Sequence, residues 1–184
     1  MMPKAWDVLS TRYDRSFRVF RLRTDRARSP RTGKDHDFFV LESPTWVNVI
    51  PLTLKEQVVL VRQYRHGTRE VTLEIPGGVM EEGDTPEGAA RRELKEETGW
   101  REERMTSLGY VAPNPAIQNN LCYTFLAEGV VPVSAQEQDD KEDIEVVLRP
   151  LAEIPRMIRE GEIRHSLVIA AFYRYFMEHR RDGD

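Results

Sequence analysis

Residues 77–100, GGVMEEGDTPEGAARRELKEETGW, limit what this chain can fold into more than any other stretch. Pro86 suits the first position of a helix, Thr85 or Asp84 suits the cap before it, and Asp84 with Glu87 has capping-box spacing. Gly99 supplies the stop, so the pattern predicts a helix over 86–98. On that helix Glu93, Glu96 and Glu97 fall at i, i+3 and i+4 and converge on one face. Like charges at those spacings repel, and the repulsion grows where water is scarce. Arg92 can bridge to Glu96, but one arginine does not neutralise three carboxylates, whereas a divalent cation does. All-oxygen donors with no nearby Cys or His favour Mg²⁺, or Mn²⁺, over zinc. Gly77 and Gly78, directly after the strand-like TLEIP, permit a tight turn and a carbonyl aimed at the same ions. Ala89 and Ala90 fall beside the glutamates and are expected to leave room for ions and substrate. An acid-rich helix is more often a solvated surface; the glycines, the cap, Arg92 and the spacing set this one apart.

Alternating or β-branched runs predict strands at 17–23, 37–42, 46–52, 57–64 and 71–75, then at 107–112, 121–127 and 144–149. RARSPRTGKD, with Pro30 and Gly33, reads as a hairpin loop. Helical patterns close the chain at 151–160 and 166–179; in the second, Leu167, Ala170, Ala171, Tyr175 and Phe176 share a face suited to core packing. The order of elements predicts a mixed α/β (α+β) class. A boundary near 43–45 divides a small N-terminal antiparallel unit, residues 1–43, from a mixed domain over 44–184.

The 184 residues, 40% hydrophobic and 32% charged, have a globular composition with enough chain for a core. The net charge of −4 argues against a general affinity for nucleic acid, although charge is uneven. Residues 1–35 hold ten Lys or Arg against four Asp, and 136–145 (QEQDDKEDIE) hold six acids against one lysine. The basic SFRVFRLR reads as a strand with a solvated cationic face, so no nucleic-acid partner is expected. No run approaches the roughly 20 apolar residues of a membrane span. MMPKAWDVLS lacks the apolar core of a signal peptide; a cytoplasmic location without a membrane partner is expected. Cys122 is the single cysteine, which excludes an internal disulfide and a multi-cysteine metal site; it is expected to be a buried thiol. His66 and His165 lack metal-ligand spacing and read as loop or cap residues, and Ser166 has no third partner for a nucleophilic triad.

The 77–100 stretch resembles a Nudix box, G-x(5)-E-x(7)-R-E-U-x-E-E-x-G-U, where U is bulky and apolar. Gly78 opens it, Arg92 and Glu93 fill R-E, Leu94 fills U, Glu96 and Glu97 fill E-E, and Gly99 and Trp100 close it. The pattern's first glutamate is here Asp84, shorter by a methylene. VRQYR (61–65), LEIPGG (73–78), Pro115 in APNPAIQNN and the acidic KEDIEV (141–146) are similar to the ADP-ribose pyrophosphatase branch. Many ADP-ribose enzymes have Ser-Pro-Gly followed by acids after the box, where this chain has PNPAIQNN.

The resemblance implies a Nudix-type α/β/α sandwich with a mixed sheet, preceded by an N-terminal sheet of the kind by which such enzymes form homodimers. It implies Mg²⁺-dependent hydrolysis of the pyrophosphate bond of a small-molecule nucleotide sugar, ADP-ribose to AMP and ribose 5-phosphate foremost. GDP-mannose or another nucleotide sugar, or a non-catalytic binding module, are the alternatives. The Gly77 carbonyl, Glu93, Glu96 and Glu97 become the metal set, with Arg92 orienting the glutamates. The general base is Glu142 in the acidic loop, with Glu145 second and Glu93 the alternative. Arg62 and Arg65 are expected to grip phosphate or the terminal ribose. Glu74 is expected to accept from a ribose hydroxyl or to pair with one of these arginines. Trp46, Tyr64 or Phe17 is a candidate to stack on the base, and Pro115 to line the substrate.

Overall fold

The computed structural model describes residues 2–138, 140–141 and 143–179. The chain falls into two compact units, Met1–Pro44 with Ala112–Leu121, and Thr45–Val111 with Cys122–Asp184. The first holds an antiparallel sheet of β1 (Asp7–Ser16), β2 (Arg21–Arg28) and β3 (Asp35–Glu42), in that order. The strand expected over 17–23 is corrected. Phe17 N–H donates to the Phe20 carbonyl at 2.8 Å, so the aromatics form the turn between β1 and β2. β1 escapes a pattern search because polar and charged side chains dominate it, and all of it is exposed. The predicted hairpin loop shortens to 29–34, closed by Ser29 N–H to the Lys34 carbonyl at 2.9 Å, with Gly33 at φ 70°. The local positive charge is largely answered within the sheet. Arg21 and Arg23 pair with Glu42, Arg26 with Asp37 and Arg28 with Asp35. The segment 112–121 docks on the end of β3 through Leu41 N–H to the Ile117 carbonyl, 2.8 Å.

In the second unit, a seven-stranded mixed sheet is built on β4 (Trp46–Leu52), β5 (Gln57–Arg65), β9 (Arg104–Val111), β10 (Cys122–Glu128) and β12 (Glu145–Pro150). Its order is β12-β5-β4-β10-β9, with β6 (Glu70–Glu74) on β5 and β7 (Gly77–Val79) on β4. The β4–β10 pairing is parallel, Trp46 opposite Cys122; the others are antiparallel. β8 (Trp100–Arg101) and β11 (Val131–Pro132) form a separate two-stranded ribbon.

Alternation within the apolar run of β5 sets the layers. Val58 and Leu60 join Ile50, Leu126, Met157 and Phe172 on the face covered by α2 (Ile154–Arg159) and α3 (Ser166–Glu178). Val59 joins Val47, Val49, Phe125 and Leu94 on the opposite face, beneath α1 (Pro86–Thr98). The result is the α/β/α sandwich with a mixed sheet. Cys122 is buried at the start of β10, and burial pushes its thiol up to about 12. Among the described residues no helix is long and apolar enough to cross a membrane.

Candidate active site

Helix α1 begins as its sequence requires, with a division of labour that the spacing left open. Thr85 is the cap: its Oγ1 accepts from Gly88 N–H at 3.0 Å. Asp84 turns away from the helix end, accepting from Glu81 N–H at 3.0 Å and Arg92 Nη2 at 3.2 Å. Glu87 pairs with Arg91 at 2.8 Å, so the capping box of Asp84 and Glu87 does not form. Gly99 closes the helix in the left-handed region at φ 73°.

Arg92 gathers the acidic stripe. Nη1 donates to Glu93 Oε1 at 2.8 Å and Glu96 Oε2 at 3.0 Å, while Nη2 reaches Asp84 and the Val79 carbonyl, the latter at 3.0 Å. Burial works against the charged guanidinium, but Glu93, Asp84 and Glu96 outweigh it and raise its pKa. Asp84 is held below its usual range, first by the Glu81 N–H and, after burial opposes it, by Arg92. The aspartate that stands for the pattern's glutamate therefore still reaches Arg92. Glu93 and Glu97 are nearly buried, 9% and 5% exposed, and Glu96 is half-buried.

The glycine pair is fitted to these carboxylates. Val49 N–H donates to the Pro76 carbonyl and Met80 N–H to that of Thr45, so Gly77 sits at a non-hydrogen-bonded position of the β4–β7 ladder. Its N–H and C=O both turn away from β4, and the N–H donates to Glu97 Oε2 at 2.9 Å. A Cβ on Gly78 would lie 2.6 Å from the Glu93 carboxylate, and one on Gly77 would collide with the Val47 carbonyl. Ala89 and Ala90 correct an expectation: both are fully buried against Val47, Val49 and Val59, and leave no room for ions.

Arg62 and Arg65 are not brought together. Three residues apart on a strand, they project to opposite sides. Arg62 pairs with Glu145 of β12 at 3.0 Å, whereas Arg65 pairs with the buried Glu74 of β6 through Nε at 2.8 Å and Nη2 at 2.7 Å. Trp46, half-buried, sits opposite Val79, whose carbonyl accepts from Arg92. Tyr64 and Phe17 are exposed, and Pro115 is exposed in the unit that holds the N-terminal sheet. Glu142 lies outside the described residues.

A profile of the NUDIX domain matches residues 43–172. The chain belongs to the Nudix family. Its relatives include a methanol dehydrogenase activator of Bacillus methanolicus, 32% identical over 85% of this chain and 84% of that one. An ADP-ribose pyrophosphatase of Bacillus subtilis is 30% identical over 71% of each chain. A crystal structure of an ADP compounds hydrolase has the same fold, with a TM-score of 0.85 at 21% identity over 98% of this chain and 99% of that one. The chain is a Nudix hydrolase of the ADP-ribose pyrophosphatase-like branch.

Nudix hydrolases generally use a divalent metal. The donor set of this Nudix hydrolase fits one: three carboxylates on one helical stripe, Gly78 with no side chain to crowd Glu93, and a Gly77 carbonyl turned off the ladder. Among the described residues no three or more His, Cys, Asp or Glu stand gathered as a finished cage. Arg92 takes Glu93 and Glu96, and the Gly77 N–H takes Glu97, which keeps the like charges apart.

Three contributors were not legible in the sequence. Gln136 Nε2 donates to the Glu97 carbonyl at 2.6 Å and the Ile144 carbonyl at 3.0 Å, tying the end of α1 to the approach to β12. Gln138 pairs with the Ile144 backbone in both directions, at 2.9 and 3.1 Å. Thr72 donates to Glu74 at 2.6 Å. Lone glutamines and threonines carry no motif; only their folded neighbours reveal the role.

Proposed function

We propose that this Nudix hydrolase cleaves the pyrophosphate bond of a nucleoside diphosphate sugar, converting ADP-ribose to AMP and ribose 5-phosphate with Mg²⁺. The observation that carries the reading is the Arg92 fork, which holds Glu93 and Glu96 while Asp84 and the Val79 carbonyl hold the arginine. That arrangement keeps acids in register on one helical stripe, a need that a solvated helix does not have. The choice of ADP-ribose rests on the relative of that activity, and GDP-mannose is the competing nucleotide sugar.

Glu93, Glu96, Glu97 and the Gly77 carbonyl would hold the cation, with Mn²⁺ a replacement. When bound, it supplies neutralisation of the diphosphate and acidification of water. Arg92 orients the glutamates and Arg65 offers a guanidinium to phosphate. Glu142 takes the proton from the attacking water, with Glu145 and Glu93 as the other bases; Glu145 in this structure is occupied by Arg62. Trp46 packs against the substrate, and residues 1–43 form the surface through which two copies associate.

Phosphorus NMR of ADP-ribose incubated with the protein and Mg²⁺ tests the assignment, with GDP-mannose in parallel. AMP and ribose 5-phosphate are expected. An ADP-ribose spectrum unchanged at high protein concentration rejects this substrate, and GDP-mannose cleavage alone establishes the competitor.

A further inference from the structure

Arg65 is held by a carboxylate that is itself held. Glu74 Oε1 accepts from Arg65 Nε at 2.8 Å and Thr72 Oγ1 at 2.6 Å, and Oε2 accepts from Arg65 Nη2 at 2.7 Å. His165 Nε2 stands 3.9 Å from the same Oε2. The other ring nitrogen, Nδ1, accepts from Leu167 N–H at 3.2 Å as the cap of α3. In the neutral ring the proton therefore sits on Nε2, the atom turned toward Glu74. Thr72 and Arg65 thus donate to one carboxylate, and His165 stands beside it.

The two partners are unequally buried. The Glu74 side chain is 3% exposed and that of Arg65 41%. The side-on contact with Glu74 uses Nε and Nη2 and leaves Nη1 outside the pair. A pair that served packing alone would bury both charges; here a buried acid fixes a cation that stays partly exposed. Glu97 also acts on the Arg65 charge, so the guanidinium lies within electrostatic reach of the α1 carboxylates.

We propose that Glu74, with Thr72 and His165 behind it, is a positioning residue that aims the Nη1 edge of Arg65 at an anionic oxygen of the substrate's diphosphate. This rests on the nucleotide-sugar reading of the site. Locking the long arginine before substrate arrives removes its ordering from the binding step.

The test uses Glu74→Gln, Arg65→Ala and the double variant. ADP-ribose affinity is measured calorimetrically in EDTA, and KM and kcat separately with Mg²⁺. Glu74→Gln weakens metal-free binding and raises KM about tenfold, the weight of one charge-assisted hydrogen bond, with kcat changed less than about threefold. On the Arg65→Ala background the same substitution changes nothing further. His165→Asn retains a cap and deletes the ring, raising KM about threefold at an unchanged melting temperature. An unchanged KM in folded Glu74→Gln, or additive losses in the double variant, overturns the proposal. If Glu74→Gln does not fold, Thr72→Val and His165→Asn enter the same cycle with Arg65→Ala, and additivity there overturns it equally. Wild-type protein that binds ADP-ribose without ever cleaving it rejects the hydrolase reading, while the metal-free arm still decides the role of Glu74. Wild-type protein that neither binds nor cleaves it overturns both.

Discussion

The N-terminal sheet and helix α1 use charge in opposite ways. In the sheet, arginines on β2 meet acids on β2 and β3; Arg26–Asp37 and Arg28–Asp35 lie at the surface, where each contributes little, and Arg23–Asp25 is part-buried. Large apolar side chains stay out in water beside them, Val8 at 60% and Phe39 at 62% exposure. In α1, like charges are collected on one stripe, and two of the three glutamates are nearly buried on a helix whose Leu94, Ala89 and Ala90 pack on the sheet. The sheet has met its electrostatic needs and left its apolar ones open. The helix packs its apolar side chains on the sheet and gathers its like charges around Arg92 and the Gly77 N–H. The exposed apolar side chains of the sheet and the acidic stripe of the helix are therefore the two places to test, the first for association of two copies and the second for a cation.

The largest effect that can break this contrast is expected at Glu97. Glu97→Gln keeps an acceptor for the Gly77 N–H and removes one of the crowded charges, so turnover falls about a thousandfold while the melting temperature holds or rises. Near-normal kcat would remove the metal assignment. Gly78→Ala comes next, because its Cβ must push the Glu93 carboxylate from 2.6 Å. A displacement of that size lowers kcat about a hundredfold; steady-state kinetics showing wild-type turnover would mean that Glu93 is not held where the chemistry needs it.

On the sheet side, Val8→Lys with Phe38→Lys puts charge into the exposed apolar side chains of one sheet face. If two copies meet there, sedimentation velocity shows the wild type as a dimer and the double variant as a monomer. A wild-type monomer, or a variant that remains dimeric, moves the association elsewhere.

The smallest effect is on acid stability. Burial pushes the Glu74 carboxyl up, but the Arg65 hydrogen bonds and charge, with Thr72 and His165, outweigh it and hold it below its ordinary 4.5. Its contribution is complete above pH 4.5 and is lost as pH falls toward the lower folded value. Acid unfolding followed by circular dichroism is therefore steeper in wild type than in Glu74→Gln. Identical limbs would show that the pair carries no net stability.

Helix α1 was legible to the residue because Thr85, Pro86 and Gly99 are local signals that tertiary contacts do not override. The central strands were legible because their apolar runs bury on both faces. β1 was not, since a strand that buries nothing writes no alternation into its sequence. In the site, the three glutamates and Arg92 announce themselves by spacing. The spacing of Arg62 and Arg65 also contained the answer that they separate, an odd interval on a strand. Ala89 and Ala90 could be placed beside the glutamates but not distinguished as core, because a helical wheel does not say where the sheet lies. Gln136 and Gln138 act on backbone groups of Glu97 and Ile144, which leaves nothing in side-chain pattern to find.

The parallel ladder that joins Trp46 to Cys122 bears on how the protein is made. During synthesis β4, β5, β7 and the acidic helix leave the ribosome together, and one edge of β4 stays without its neighbour until residue 128 has emerged. Parallel closure over so long a span is slow compared with helix formation. The nascent chain thus carries an open edge on β4 until β10 has emerged, and the core closes only once β12, α2 and α3 have followed.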